Sequence, residues 1–416
     1  MCSMDRQDKD LPLLSIVIPT RNRIVYAISA IESILEISDS RLELIVQDNS
    51  DARDLERYVH EKIKDNRLRY RYTPPPFSSI DNFNAAMEMA TGEYVCLIGD
   101  DDGVNPEIIE AAIWAKSKNV DCLAVKLTVS YHWQGAGLSS TLFTKVKGGS
   151  LVVWDAHGFI RDANTENEMR KFVRNGGASY LDLDLPKLYH GLVHRRCLKA
   201  IYDKTGAYFG GLCPDIFASL SIACVANRVV VTDYPLTVPG VCGVSSSAVE
   251  GSFRRHSSRL EDAPHFRCRG EYHWCELVPR VYSVETLWAD SGVAALLAMG
   301  REDLVGQFNL PRLAAHTVLA NRGVFRPVLQ GLFTGLRITR KNTVIGTMKF
   351  AWILLWMLCA ALIGSIKRLL AWFGPRRKHR LDGLSNIGEA SQALTRYLND
   401  NGKSFEQCTL NSHKSK

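Results

Sequence analysis

What the chain lacks narrows its class. No glycine appears before Gly92, so a glycine-rich phosphate loop behind the first apolar segment is absent. No apolar leader opens the sequence. Residues 1–10 are polar and charged and run directly into Leu13–Ile18, so a cleaved signal peptide is not expected. The eleven cysteines are odd in number and follow no paired spacing, which argues for reduced thiols in a cytoplasmic setting and against a disulfide framework. His265, Cys268, His273 and Cys275 fall close together but match none of the common zinc spacings. Acidic excess is also missing: 51 Lys and Arg face 44 Asp and Glu, a net charge of +7. The basic residues crowd between Arg337 and Arg380, and that asymmetry points to an anionic surface such as a membrane face.

What is present begins with alternation. Leu13–Ile18 is a continuous apolar run of buried-strand type. Ile24, Ala27, Ile28, Ile31, Ile34 and Leu35 then recur at helical spacing. Strands over Leu42–Val46 and Leu68–Tyr72 follow, separated by a helix near Leu55–Ile63. Another helix around Ile80–Ala90 is closed by Gly92 ahead of the strand Tyr94–Ile98. Such β-α alternation specifies an α/β fold: a mostly parallel, Rossmann-like sheet with helices on both faces and ligands at the carboxyl ends of the strands. Three polar clusters fall at those ends: Thr20-Arg21-Asn22, Asp48-Asn49-Ser50 and Asp100-Asp101-Asp102. Each alone is compatible with turn chemistry. Consecutive carboxylates at the end of a buried strand repel one another unless a cation neutralises them, and hard divalent ions take oxygen ligands together with substrate phosphates. The acidic trio therefore reads as a site for Mn²⁺ or Mg²⁺ with a diphosphate. The alternative is a cap for the helix that starts at Asn105-Pro106-Glu107.

The segments SIVIPTRNR (15–23), ELIVQDNSD (43–51) and NAAMEMATGEYVCLIGDDD (84–102) resemble the signature segments of family 2 glycosyltransferases, whose fold is of the GT-A type. The resemblance extends over about residues 11–240. It implies a nucleotide-sugar donor, usually UDP-linked, and a divalent metal. Carried over by position, Pro19, Thr20 and Arg21 line the nucleotide, Asp48 meets the base, Asp100 lies near ribose and diphosphate, and Asp101 and Asp102 hold the metal. Three positions depart from the family pattern: Arg21 stands where an aromatic is common, Gln47 replaces an aspartate, and Gly99 occupies the first position of the D-x-D element. No Gln-x-x-Arg-Trp occurs, and the resemblance therefore implies single rather than processive transfer.

A base is needed for the attacking hydroxyl. Asp215 in YFGGLCPDIFA follows a Gly-rich turn and opens an apolar helix. Plain N-capping explains it on spacing alone; the family places a catalytic aspartate in a similar loop. At a helix N-terminus the carboxylate is expected to stay ionised. Asp182 and Asp184 are a rival acid pair, and His190 reads as structural. Residues 239–247 form a Gly- and Ser-rich loop suited to folding over a diphosphate or to acting as a linker.

Beyond residue 240 the expected organisation is a helical accessory region (241–343), an apolar and basic membrane-associated segment (344–380) and a polar, partly disordered tail (381–416). Phe350–Ile366 is 17 uncharged residues, at the lower limit for crossing a bilayer. Basic residues flank it on both sides, which favours a helix in the cytoplasmic interface or a re-entrant segment over a span; a buried bundle helix is the soluble alternative. The expected function is a glycosyltransferase at the inner membrane face that uses a nucleotide sugar and a glycan or lipid-linked acceptor, with no nucleic-acid partner. A sugar-nucleotide-forming nucleotidyltransferase and a non-catalytic nucleotide-sugar-binding module are the rivals.

Overall fold

The computed structural model describes residues 11–135, 148–154, 156, 158–243, 260, 264–371 and 378–414. The first half runs β1 (Leu14–Thr20), α1 (Ile24–Leu35), β2 (Leu42–Asp48), α2 (Asp54–Lys62), β3 (Leu68–Tyr72), α3 (Ser79–Glu88), β4 (Tyr94–Leu97), β5 (Gly103–Val104), α4 (Ile108–Ser117), β6 (Cys122–Val125), β7 (Val129–His132), β8 (Ser150–Trp154), β9 (Ile160–Ala163) and α5 (Thr165–Arg174). It continues through β10 (Leu192–His194), α6 (Arg195–Thr205), α7 (Pro214–Val225), β11 (Val229–Thr232), β12 (Thr237–Val238) and β13 (Gly240–Val241). The C-terminal part holds α8 (Val284–Ala298), α9 (Glu302–Val305), α10 (Leu310–Ala320), α11 (Phe325–Ile338), α12 (Thr343–Ala371), β14 (Lys378–Asp382), α13 (Ile387–Asp400) and α14 (Phe405–Lys414).

The central sheet has eight strands in the order β3-β2-β1-β4-β10-β6-β11-β9. β1, β2, β3 and β4 are parallel, and so are β6 and β11; β10 and β9 run antiparallel to their neighbours. Strand alternation sorts the side chains. Leu14, Ile16 and Ile18 of β1 face Ala27, Ile31 and Ile34 of α1. Val17 points the other way, into a core shared with Ile80, Leu198 and Ile201 from α3 and α6. Both faces are covered, which is why β1 and β2 are buried along their whole length. The expected α/β fold is present. A four-stranded sheet (β13-β7-β8-β14) and the ribbon β12–β5 flank the acidic loop.

A second hydrophobic core joins α5 and α7 to helices α8–α12, with Phe172, Ile216, Leu220, Val293, Leu313 and Leu332 buried in it. Residues 264–283 are mostly irregular, with a single 3₁₀ turn at Pro264–Phe266, and regular helix resumes at α8. The loop expected at 239–247 is described only to residue 243, so its remainder lies outside the described residues.

The C-terminal segment corrects the sequence reading. Residues 381–416, expected as a polar and partly disordered tail, are folded onto the α/β half as far as residue 414. β14 pairs antiparallel with β8 from Lys378↔Trp154 to Asp382↔Ser150. Ile387, Ala390, Leu394 and Leu398 of α13 are buried against the sheet core, as is Phe405 of α14. Asn386 caps α13 by accepting from the Glu389 amide. The apolar residues recur every three or four positions, but they are sparse enough that the average composition looks polar.

Candidate active site

β1 and β4 lie side by side and end at the same edge, so the loop Ile98–Asp102 meets Thr20 and the start of α1. All three aspartates are buried. Thr20 Oγ1 donates to Asp100 Oδ2 at 2.5 Å. One guanidinium serves the first two acids: Arg23 Nη1 stands 2.7 Å from Asp100 Oδ1, and Nη2 stands 2.8 Å from Asp101 Oδ2. Both of those carboxylate oxygens are buried and have no other hydrogen-bond donor. Burial pushes the Asp100 carboxyl up to about 7, against the pull of Arg23. Asp101 is raised by burial and by the neighbouring Asp102. Arg23 itself is held firmly charged: burial works against it, but Asp100 and Asp101 more than offset that.

Asp102 is differently placed. Its Oδ1 accepts from the Gly240 amide at 2.7 Å, and its Oδ2 accepts from the Gly99 amide at 2.6 Å and from the Tyr189 hydroxyl at 3.1 Å. Both oxygens are occupied, so this side chain fastens the loop to β13 rather than facing a ligand. Gly99 departs from the family pattern for a visible reason: a Cβ there would come within 2.7 Å of the Tyr189 hydroxyl and 3.0 Å of both neighbouring carboxylates. His190 stacks edge-on against Tyr189, and its Nδ1 lies 2.9 Å from Thr237 Oγ1. Burial lowers its pKa to about 3, so the ring near Asp102 is neutral and structural.

The nucleotide-side residues gather at the ends of β1, β2 and β3. Asp48 accepts from the Ser50 amide (2.8 Å) and the Tyr70 hydroxyl (2.7 Å), and it is fully buried. Gln47, which replaces an acid, donates to Thr73 and accepts from Arg71. Arg21 reaches Asn49 at 2.9 Å and Asp51 at 3.0 Å. Pro19 lies within β1, opposite Gln47. Thr20, Arg21, Asp48, Asp100 and Asp101 therefore share one edge of the sheet.

Asp215 sits in the first turn of α7, half-buried, behind Pro214. Backbone amides favour its charge, but burial outweighs them and raises its pKa, opposite to the sign expected from the helix N-terminus alone. Its charged neighbour is Lys187, 7% exposed, whose ammonium is pushed down to about 8 by burial and then by Lys126. Lys187 also faces His190, which in turn faces Asp101. The rival Asp184 is committed to Lys126 (2.8 Å) and Arg161 (2.7 Å), and Asp182 is exposed on a 3₁₀ turn. His265, Cys268, His273 and Cys275 do not converge: among the described residues no three His, Cys, Asp or Glu side chains gather as a metal set.

Two residues escaped the sequence reading. Arg23 is the second Arg of the PTRNR segment, and only the return of α1 beneath the acidic loop reveals its task. Lys187 carries no local signal.

For a divalent ion, the carboxylates divide. Asp100 Oδ1 and Asp101 Oδ2 are buried carboxylate oxygens that meet only the Arg23 guanidinium, so they fit an oxygen-ligated metal that takes the guanidinium's place. Asp102 does not fit.

Residues 15–132 match the family model described as glycosyl transferase family 2. The match covers 118 of the 416 residues, and over that segment the chain is similar to glycosyltransferase family 2. The putative colanic acid biosynthesis glycosyl transferase WcaA of Escherichia coli is 33% identical over 114 residues, 27% of this chain and 40% of WcaA. The GalNAc(5)-diNAcBac-PP-undecaprenol beta-1,3-glucosyltransferase of Campylobacter jejuni is 35% identical over 97 residues, 22% of this chain and 30% of that enzyme. The chain spans less than half the length of the curated relatives it matches. Among solved structures, TarS 1-349 of S. aureus in complex with UDP-GlcNAc is 16% identical, with a TM-score of 0.41, covering 79% of this chain and 92% of that one.

Proposed function

We propose that this family 2 glycosyltransferase moves a single sugar from a nucleotide sugar, UDP-linked, to a glycan or lipid-linked acceptor in the synthesis of a surface polysaccharide or glycoconjugate, with inversion at the anomeric carbon. The observation that carries the proposal is the carboxylate pair Asp100 and Asp101, buried at the C-terminal edge of β1 and β4 and answered by the one guanidinium of Arg23. A pair so placed suits a cation-bound diphosphate.

Thr20, Arg21 and Asn49 offer hydroxyl, guanidinium and amide groups beside the acids for the nucleotide. In this reading Mn²⁺ or Mg²⁺, held by Asp100 and Asp101, supplies charge stabilisation to the leaving diphosphate. Asp102 keeps the loop in register. Asp215 takes the proton of the acceptor hydroxyl: its raised pKa brings it nearer the working pH, which suits a general base, and Lys187 beside it holds a compensating charge. The acceptor's lipid-linked character is inferred from the name of the Campylobacter relative, and it places the enzyme at the cytoplasmic face of a membrane. The proposal needs more than a folded nucleotide-binding module. Asp101→Asn is therefore expected to stay folded while losing metal-dependent transfer.

The decisive test is a thermal-shift screen of UDP, GDP and TDP sugars with and without Mn²⁺. A donor at 100 times its Kd raises stability by about 2.7 kcal/mol by mass action. A shift that requires both nucleotide sugar and metal supports the reading. No shift with any donor counts against it, and turnover without loss in Asp101→Asn would remove the acid pair from the mechanism.

A further inference from the structure

The geometry points to α12 as an in-plane membrane anchor that lies on an anionic lipid surface with both of its ends on the protein's side. The residues Thr343–Ala361 are 19 in number with a mean hydropathy of 1.8, long and apolar enough to cross a membrane by length and composition. Four observations exclude a crossing and select the surface instead.

First, one face of the helix is already used. Phe350 is 4% exposed, and Ile353, Leu354 and Met357 pack with it on the helical core, while Gly346 abuts Leu336 of α11. Second, the opposite face is apolar and uncovered: Val344, Ile345, Met348, Trp352, Leu355 and Trp356 are all more than half exposed, with Trp352 at 70%. Two tryptophans on such a face are interfacial residues. Third, the chain returns at once. β14 begins at Lys378 and pairs with β8, and α13 packs on α1 behind the acidic loop. Ala371 and Lys378 are seven Cα steps apart, at most about 25 Å when fully extended, less than the ~30 Å hydrocarbon core, so a crossing helix cannot bring β14 back to the same sheet. The helix is continuous from Thr343 to Ala371, and a re-entrant hairpin needs a break. Fourth, the charge is one-sided. From residue 304 to 381 there are thirteen Lys and Arg and no Asp or Glu, and Arg337, Arg340, Lys341 and Lys349 are exposed beside the start of the helix. Apolar burial plus attraction to anionic headgroups is the physics of an interfacial helix.

This anchor deepens the reading of a membrane-bound acceptor but is tested without turnover. The full chain is mixed with phosphatidylcholine vesicles with and without 30–40% phosphatidylglycerol, at roughly 0.05 and 0.5 M salt, and vesicle-bound protein is measured by flotation. Binding to the anionic vesicles is expected, weakening with salt. Met348→Glu/Trp352→Glu/Trp356→Glu, all on the free face, is expected to bind at least about tenfold less while keeping its melting temperature and donor binding. Asp101→Asn is expected to bind vesicles as the wild type does, so a failed enzyme reading leaves this result intact. In cells, epitope tags at the two termini are expected on the same side of the membrane by protease protection. Tags on opposite sides overturn the proposal in favour of a span. A detergent-free dimer that ignores vesicles, and that the triple variant turns into a monomer, overturns it in favour of a second copy of this chain. A wild-type monomer without vesicle binding overturns it outright.

Discussion

Arg23 is the cation that faces both Asp100 and Asp101, two buried carboxylates at the end of β4. Removing it leaves the charges uncompensated, and breaking a buried pair in this way destabilises by about 3–5 kcal/mol. Arg23→Ala is therefore expected to melt lower than wild type at pH 8. It is also expected to regain more stability from Mn²⁺ than the wild type does, because the ion no longer competes with the guanidinium for Asp100 and Asp101. Equal Mn²⁺ shifts in the two proteins would mean that the ion does not enter here. The pH dependence has a fixed sign. Asp100 is raised to about 7 in the fold from an ordinary value of 3.8, so the folded state keeps a proton that the unfolded chain has lost. Stability from this group is complete below about pH 4 and falls as pH climbs through 7. Asp100→Asn is expected to flatten that slope and to raise stability at pH 8 by roughly 2–4 kcal/mol, while donor binding weakens. A variant melting lower than wild type at pH 8 would show that the carboxylate is held by more than Arg23. The site thus spends stability on charge, as functional sites do.

At the scale of elements, legibility followed the density of pattern. β1 and β2 are unbroken apolar runs, and α1 repeats its apolar face without gaps, so the first four strands and their helices were readable. The edge that gathers Thr20, Asp48 and Asp100 follows from parallel pairing, since β1 pairs with β2 and β4 on its two sides. The roles within that edge were not readable. Asp100, Asp101 and Asp102 are identical in sequence and differ only in what lies opposite them: Arg23 for the first two, the amides of Gly99 and Gly240 for the third. Those partners come from residues up to 138 positions away. The C-terminal helices were missed because a stripe of Ile387, Ala390, Leu394 and Leu398 is diluted by polar neighbours. Yet α13 is close to the site's foundations: a Cβ on Gly103, just past the acidic loop, would meet Ser391 Oγ at 2.4 Å and Ile387 Cγ1 at 2.8 Å. Leu394 is fully buried, so Leu394→Ala is expected to lose about 2–5 kcal/mol in urea unfolding. An unchanged midpoint would mean that this helix does not belong to the cooperative unit.

Across the whole molecule, α7 ties the two halves together. Its Ala218 and Ile222 pack into the sheet core, and its Ile216, Phe217 and Leu220 pack into the helical core. The loop that delivers Asp215 is fixed from the helical side, not from the sheet. Ser291 of α8 accepts from the amides of Leu212 (3.1 Å) and Cys213 (2.9 Å), and a Cβ on Gly211 would come within 2.9 Å of it. The helical region therefore fixes the turn before Asp215, and in the proposed reading it forms a wall of the reaction site. Ser291→Ala removes the acceptor for two buried N–H groups, a change worth about 1–3 kcal/mol for each unsatisfied group, and it frees the turn that aims Asp215. In the proposed reading the donor binds at the ends of β1, β2 and β4, which Ser291 does not touch. The expected outcome is a split: nucleotide-sugar affinity within about twofold of wild type, and a transfer rate lowered by tenfold or more, as small misplacements of a catalytic group produce. Asp215→Asn is expected to show the same split in a stronger form. Calorimetric donor titration beside initial-rate kinetics checks both. If Ser291→Ala weakened donor affinity and rate together, the two halves would not be divided between donor and acceptor; if Asp215→Asn turned over normally, the proton would have to leave by way of Asp182 or Asp184.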